Sequence, residues 1–233
     1  MNLLLVSIDS LRLDFSPGVG TMVRTPRFLD LIRDFHLCRH CFSASSATRP
    51  VHTSLFTGLY PFEHGIEGQR SPAMRRGFAD LFELCHRAGY TARGFSEAAE
   101  IFTGLRYAEH ISPMPTDPNA LSASLQGHDP TLLFLHYWSV HAPYGAADGL
   151  AFGETGRLLA AGRLDLVQER YCTAIEKLFE QHLAPLLAGL DLGVRPMGLW
   201  SISTILSMWV RPSIFLWGPG TARAPCKVLA RAL

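Results

Sequence analysis

Two short apolar runs, NLLLVSI at residues 2–8 and TLLFLHYW at residues 131–138, constrain the fold of this chain more than any other feature. A strand with one wet face alternates apolar and polar residues. These runs do not, so each is expected to be covered on both faces, as interior strands of a parallel sheet are. Helical patterns lie between and after them. Thr25-Pro26 opens one, with proline at its first position and Phe28, Leu31, Ile32 and Phe35 at helical spacing. FADLFELCHRAG reads as a second helix stopped by Gly89, and it leads into the short strand candidate YTARGF. Beyond a Pro/Asp/Ser-rich stretch at 112–130, a long amphipathic helix places Val167, Tyr171, Ala174, Ile175 and Leu178 on one face, and Pro185 is expected to kink or end it. Apolar strands alternating with helices predict an α/β fold, a mostly parallel central sheet with helices on both faces. No internal repeat is present.

At 233 residues the chain has room for one large α/β domain or two small ones. A formal net charge of +1 gives no electrostatic reason to expect nucleic acid or an anionic membrane as a partner. Five cysteines, an odd number, argue against a disulfide framework and for a reducing compartment. MNLLLVSIDS lacks a basic leader and meets Asp9 at once, unlike a signal peptide, and GLWSISTILSMWV falls short of the ~20 residues of a membrane span. A cytoplasmic location is the expectation. Cys38 and Cys41 have a spacing that could hold zinc or cycle as a dithiol. No second such pair completes a zinc site, and this one follows a helix instead of opening it, so two thiols buried on a strand are expected. Neither GxGxxG nor GxxxxGK[ST] occurs, which weakens a nucleotide-binding reading.

Ligands of open parallel sheets bind at the carboxyl ends of the strands. There this chain carries Asp9 after LLLVSI, and His136 to His141 after TLLFL. A third element is SATRPVHTSLFTG at 46–58. Pro50 reads as the first residue of a helix, which sets Thr48 just before unpaired N–H groups and the positive end of the helix dipole. Each residue alone has a structural explanation. Asp9 could cap the turn DSLRLD, Thr48 could be a turn hydroxyl, His52 and His141 could be hydrogen-bonded core histidines, and Thr57-Gly58 reads as a helix stop.

In series, however, the segments NLLLVSIDSLRLD, TPRFLDLIRDF, TRPVHTSLFTGLYPFEHG, LFELCHRAGYTARGF and LFLHYWSVHAPY resemble the sulfatase family of the alkaline phosphatase superfamily over residues 2–190. The resemblance implies a sulfatase-like catalytic domain over residues 1–191 that hydrolyses sulfate or phosphate-type esters, with a small anionic ester as partner. It places Asp9 at a metal-binding position, with Ser10 where the family carries a second aspartate. Thr48 falls at the nucleophile position, which many relatives fill with a cysteine or serine converted to formylglycine. His52 would position or activate that nucleophile. His141 would contact the ester or protonate its leaving group, with His136 and Arg93 as further substrate-binding candidates. The implied cofactor is a divalent cation: calcium, manganese or magnesium. Such a cation lowers the pKa of a bound hydroxyl and neutralises ester oxygens.

One departure bears on the cation. The family completes its metal site with an Asp-His-Gly motif after the long helix, whereas residues 192–233 contain no Asp, Glu or His. RPSIFLWGPG still resembles the apolar strand and turn that follow that motif in relatives. A truncated chain, or a reading frame disturbed between about 192 and 210, is the expectation, and the competing reading is a catalytically inactive remnant or binding module.

Overall fold

Both apolar runs become interior strands. In the computed structural model, which describes residues 2–117, 119–127, 129–145, 152–190, 197–204 and 213–217, the strands are β1 (Asn2–Asp9), β2 (His36–Cys41), β3 (Thr91–Ser96), β4 (Ile111–Pro113), β5 (Thr131–Tyr137), β6 (Met197–Thr204) and β7 (Ser213–Trp217). The helices are α1 (Pro26–Leu31), α2 (Thr48–Thr57), α3 (Pro61–His64), α4 (Leu81–Arg87), α5 (Asn119–Ala123), α6 (Phe152–Ala160), α7 (Leu164–Lys177) and α8 (Ala184–Ala188). Five strands form one parallel sheet in the order β4-β3-β5-β1-β6, and β2 pairs with β7 in a separate antiparallel ribbon. Every residue of β5 is buried.

Each face of the sheet has its own core. Leu4, Val6, Ile8, Leu133 and Leu135 pack against Phe28 of α1 and Tyr171 and Ile175 of α7. Leu5, Leu132 and Phe134 pack against Phe56 of α2, Phe82 of α4 and Tyr107. Fully burying a side chain of this size contributes roughly 1.5–3 kcal/mol, so each face has its own driving force for closure. On the α2-facing side the two-residue period turns polar towards the carboxyl ends of three adjacent strands. β1 runs Leu5, Ser7, Asp9; β5 runs Leu132, Phe134, His136; β3 runs Ala92, Gly94, Ser96. Register brings Ser7 and Ser96 to either side of His136.

Local sequence explains most helix ends. Pro26 is the first residue of α1. Asp80 caps α4, accepting the Glu83 N–H while Glu83 accepts the Asp80 N–H. Helix α2 begins at Thr48, two residues earlier than expected, so Thr48 lies inside the helix and not ahead of it. Pro50 is still in the first turn, where a missing N–H leaves no intrahelical bond unmade. Gly58, at φ 71°, ends the helix. Pro185 does not end the long helix. A π-helical turn over Leu178–Leu183 carries α7 into α8, and the proline sits in the first turn of α8. The wider turn just upstream absorbs the N–H that proline lacks.

The 112–130 stretch contributes the end of β4 and the short α5, neither long enough to show a period in sequence. Cys38 and Cys41 do lie on a strand, β2. The burial expected of their thiols, and the Gly-Pro-Gly turn expected after β7, lie outside the described residues. Among the described residues no helix is long and apolar enough to cross a membrane.

Candidate active site

Asp9 ends β1 on the α2 face, with its carboxylate fully buried. Thr48, at the first position of α2, donates its hydroxyl to Asp9 Oδ2 at 2.8 Å. The two residues that the resemblance pairs therefore meet across 39 positions of sequence. They meet inside the protein, since Thr48 is 1% exposed. Ser10, at a left-handed φ of 61°, donates its hydroxyl to Asp9 Oδ1 at 3.4 Å.

Three further groups close round this pair. His52, one turn along α2, donates from Nδ1 to the Thr48 carbonyl at 2.8 Å, and its Nε2 lies 2.9 Å from Ser7 Oγ. Burial, then repulsion from His136, lower its pKa to about 3, only partly offset by the Thr48 carbonyl and Asp9, so the ring is neutral at physiological pH. A neutral ring that donates from Nδ1 accepts at Nε2, and Ser7 is then the donor. His52 thus grips the Thr48 backbone and does not reach its hydroxyl. His136 of β5 bonds Ser96 Oγ through Nδ1 at 2.8 Å, while its buried Nε2 has no hydrogen-bond partner and stands 3.8 Å from Asp9 Oδ2. That distance suits an ion pair and is too long for a hydrogen bond. Burial pushes the Asp9 carboxyl up, but His136, the Thr48 hydroxyl and His52 pull the other way and together hold it below the ordinary carboxylate value.

His141 lies in the loop after β5. Its ring stacks on Trp138 with centroids 3.9 Å apart, and Nδ1 donates to the Ala142 carbonyl at 2.8 Å. With Ser10, Arg12, Phe15, Tyr144 and Tyr171 it lines a cavity of about 730 Å³. Asp9 and Thr48 are not in that lining, so the cavity reaches the rim of the buried pair and stops there. Arg93 is not brought to the site. It is exposed in the middle of β3, three residues before Ser96. An odd spacing puts it on the opposite face of the sheet, roughly 10 Å back from the strand end.

Sequence reasoning missed Ser7, Ser96 and Tyr171. The two serines had a faint signal, the two-residue spacing that leads to Asp9 on β1 and from Gly94 on β3. Tyr171 read only as part of an apolar helix face, yet its phenol donates to the Ser10 carbonyl at 2.7 Å and accepts the Arg12 N–H at 2.8 Å. It thereby holds the turn that follows Asp9.

Among the described residues no group of three or more His, Cys, Asp or Glu gathers to hold a metal ion. What does converge is one carboxylate, one hydroxyl and one imidazole nitrogen without a partner. That set fits a divalent cation whose remaining positions go to water or substrate, and the orphaned nitrogen is the atom such an ion would satisfy.

The parallel sheet, its two helical layers and the polar carboxyl end define the alkaline-phosphatase-like fold that sulfatases share. Among solved structures, the chain is similar to a sulfatase from the glycosaminoglycan-metabolising locus of Bacteroides thetaiotaomicron, with TM-score 0.68 and 13% identity over 94% of this chain and 67% of that one. It is similar also to the phosphonate monoester hydrolase of Agrobacterium radiobacter, with TM-score 0.60 and 16% identity over 92% of this chain and 66% of that one. The lipoteichoic acid synthase LtaP of Listeria monocytogenes gives TM-score 0.63 and 15% identity over 95% of this chain and 66% of that one. The chain thus spans about two thirds of the length of these enzymes, as an incomplete version of the fold would. No protein-family model and no curated protein sequence matches it.

Proposed function

We propose that this chain hydrolyses sulfate- or phosphate-type esters, with Thr48 as the nucleophile. The observation that carries the reading is the 2.8 Å hydrogen bond from the Thr48 hydroxyl to Asp9, formed at the carboxyl end of the sheet in a fold that sulfatases and a phosphonate hydrolase share. Asp9 and Thr48 would hold a divalent cation, which when bound lowers the pKa of the hydroxyl and neutralises the ester oxygens.

The roles of the protein groups follow from their placement. Thr48 Oγ1 forms the new bond to sulfur or phosphorus as the bond to the leaving oxygen breaks, and its proton leaves along the hydrogen bond to Asp9. His141, its ring fixed by Trp138 and the Ala142 carbonyl, protonates the leaving alcohol when it carries both ring protons. Water, passing a proton to His141, then cleaves the threonine ester and releases sulfate or phosphate, while the proton on Asp9 returns to Thr48. His52 keeps the Thr48 backbone in place. Because Thr48 is buried, substrate entry requires the cover over the Asp9–Thr48 pair to open towards the cavity beside Ser10 and His141.

The test is a panel of nitrophenyl sulfate, phosphate and phosphonate with added manganese, calcium, magnesium or zinc. Turnover of at least one ester is expected, lost about 10³-fold or more in Thr48→Ala. No turnover with any ion, or turnover unchanged in Thr48→Ala, would overturn the reading.

A further inference from the structure

His136 is fully buried on β5, and one of its ring nitrogens has no hydrogen-bond partner among the described residues. An unsatisfied buried polar atom is costly, so its orientation needs a reason. That nitrogen, Nε2, faces Asp9 Oδ2 at 3.8 Å, the same oxygen that accepts the Thr48 hydroxyl at 2.8 Å. A ring nitrogen, a carboxylate and a hydroxyl therefore converge on one place from three different elements. Behind the ring, Nδ1 is 2.8 Å from Ser96 Oγ, which also accepts the Ala98 N–H at 3.0 Å. An imidazole that binds a metal ordinarily gives its other N–H to such an oxygen, which fixes the ring and the tautomer.

We infer that His136 Nε2 is a metal ligand, and that Asp9, Thr48 and His136 together select a nitrogen-accepting divalent ion such as zinc over calcium. The inference rests on the proposed function only for the presence of a cation at Asp9, and it is independent of the ester. Three protein donors with an open position suit zinc, whereas calcium takes six to eight oxygens. Asp9 has two neighbouring strands. On one side Thr204 of β6 is its register partner, in a segment that has no carboxylate or imidazole in its sequence. On the other side β5 carries His136, so the side-chain nitrogen comes from β5.

The full chain, stripped with a chelator, is titrated with zinc alone by calorimetry and with cobalt(II) followed by visible absorption. The expected result is one ion per chain, not displaced by a hundredfold excess of calcium. His136→Gln is expected to weaken zinc binding about tenfold or more and to alter the cobalt bands. The exposed His182→Gln is expected to leave both unchanged. Zinc affinity within twofold of the parent in a folded His136→Gln, or displacement of zinc by calcium, would overturn the inference. Should His136→Gln fail to fold, X-ray absorption of the zinc-loaded parent decides, and a site without imidazole scattering overturns it. A chain that binds zinc through His136 and hydrolyses none of the esters removes the proposed function alone. A chain that hydrolyses esters with calcium and binds no zinc removes this inference alone.

Discussion

His52 has both ring nitrogens engaged, Nδ1 donating to the Thr48 carbonyl and Nε2 accepting from Ser7, so a second proton would break the contact with Ser7 inside a dry core. Burial, then repulsion from His136, is what lowers its pKa to about 3. His64 is lowered too, chiefly by burial; its Nδ1 accepts the Ile66 N–H and its Nε2 meets Ser54. The unfolded chain takes up these protons near pH 6.5, and the native chain only at lower pH. Stability from His52 is therefore complete above about 6.5 and is lost as pH falls towards 3. Asp9, whose carboxyl is held low, keeps its contribution above its ordinary value of 3.8 and does not oppose this trend. The expected outcome is a native state about 2 kcal/mol less stable at pH 5 than at pH 7 from His52 alone. Urea unfolding at the two pH values checks this, and His52→Gln should flatten the difference by that amount. Asp9 and Thr48 were legible only through the ordered series of segments that resembles the sulfatases, since a strand-end carboxylate or a helix-start hydroxyl alone reads as a cap or turn group. Ser7 and Ser96 were not, because a serine in an apolar strand looks like filler until its partner, 45 or 40 residues away, is in view.

Helix α7 shows how one element serves both packing and the site. Its inward face was readable from helical spacing, and Val167, Tyr171, Ala174 and Ile175 are indeed buried. The polar end of Tyr171 follows a different logic. Its ring packs edge-on against Phe15 and Tyr144, while its hydroxyl satisfies the Ser10 carbonyl and the Arg12 N–H of the turn after β1. Tyr171→Phe keeps the ring and leaves those two backbone groups short of a partner. A loss of about 1–3 kcal/mol is expected, read as a drop of a few degrees in thermal melting. The glycine that ends α2 makes a second prediction. Gly58 sits at φ 71°, so Gly58→Ala should cost roughly 1–2 kcal/mol, whereas Gly68→Ala, with open space around its α-carbon, should stay within about 0.5 kcal/mol of the parent. Paired melts of the two variants separate backbone strain from loss of a glycine as such. Helix stops of this kind are legible because glycine adopts the left-handed conformation at the least cost. The passage through Pro185 was not, since it depends on a π turn that local propensity does not encode.

Across the whole molecule, the first strand of the sheet is completed only by strands made much later. β1 lies between β5 and β6, with Leu5 beside Phe134 on one side and beside Trp200 on the other. The covered strands β1 and β5 could be read from unbroken apolar runs, and β3 from its place after a helix stop. β6 could not, because its eight residues contain three of Ser or Thr and their partner lies at the other end of the chain. The apolar run in RPSIFLWGPG does form a strand, β7, but it pairs with β2 outside the main sheet, since pairing partners are set by topology and not by local pattern. This order makes the acid-free tail a structural part of the sheet. A chain cut after Leu190 would lose β6 and turn β1 into an edge, exposing a row of unpaired N–H and C=O groups on a strand that is apolar on both faces. Such an edge pairs with other chains unless a charge, proline or bulge blunts it, and NLLLVSI has none of these. The shortened chain is therefore expected to collect in the insoluble fraction or to elute as large oligomers in size-exclusion chromatography, while the full chain elutes as a defined species. A shortened chain that stayed monomeric and unfolded cooperatively would show that β1 does not need its late partner, and that the carboxylate of Asp9 is held in place from the β5 side alone.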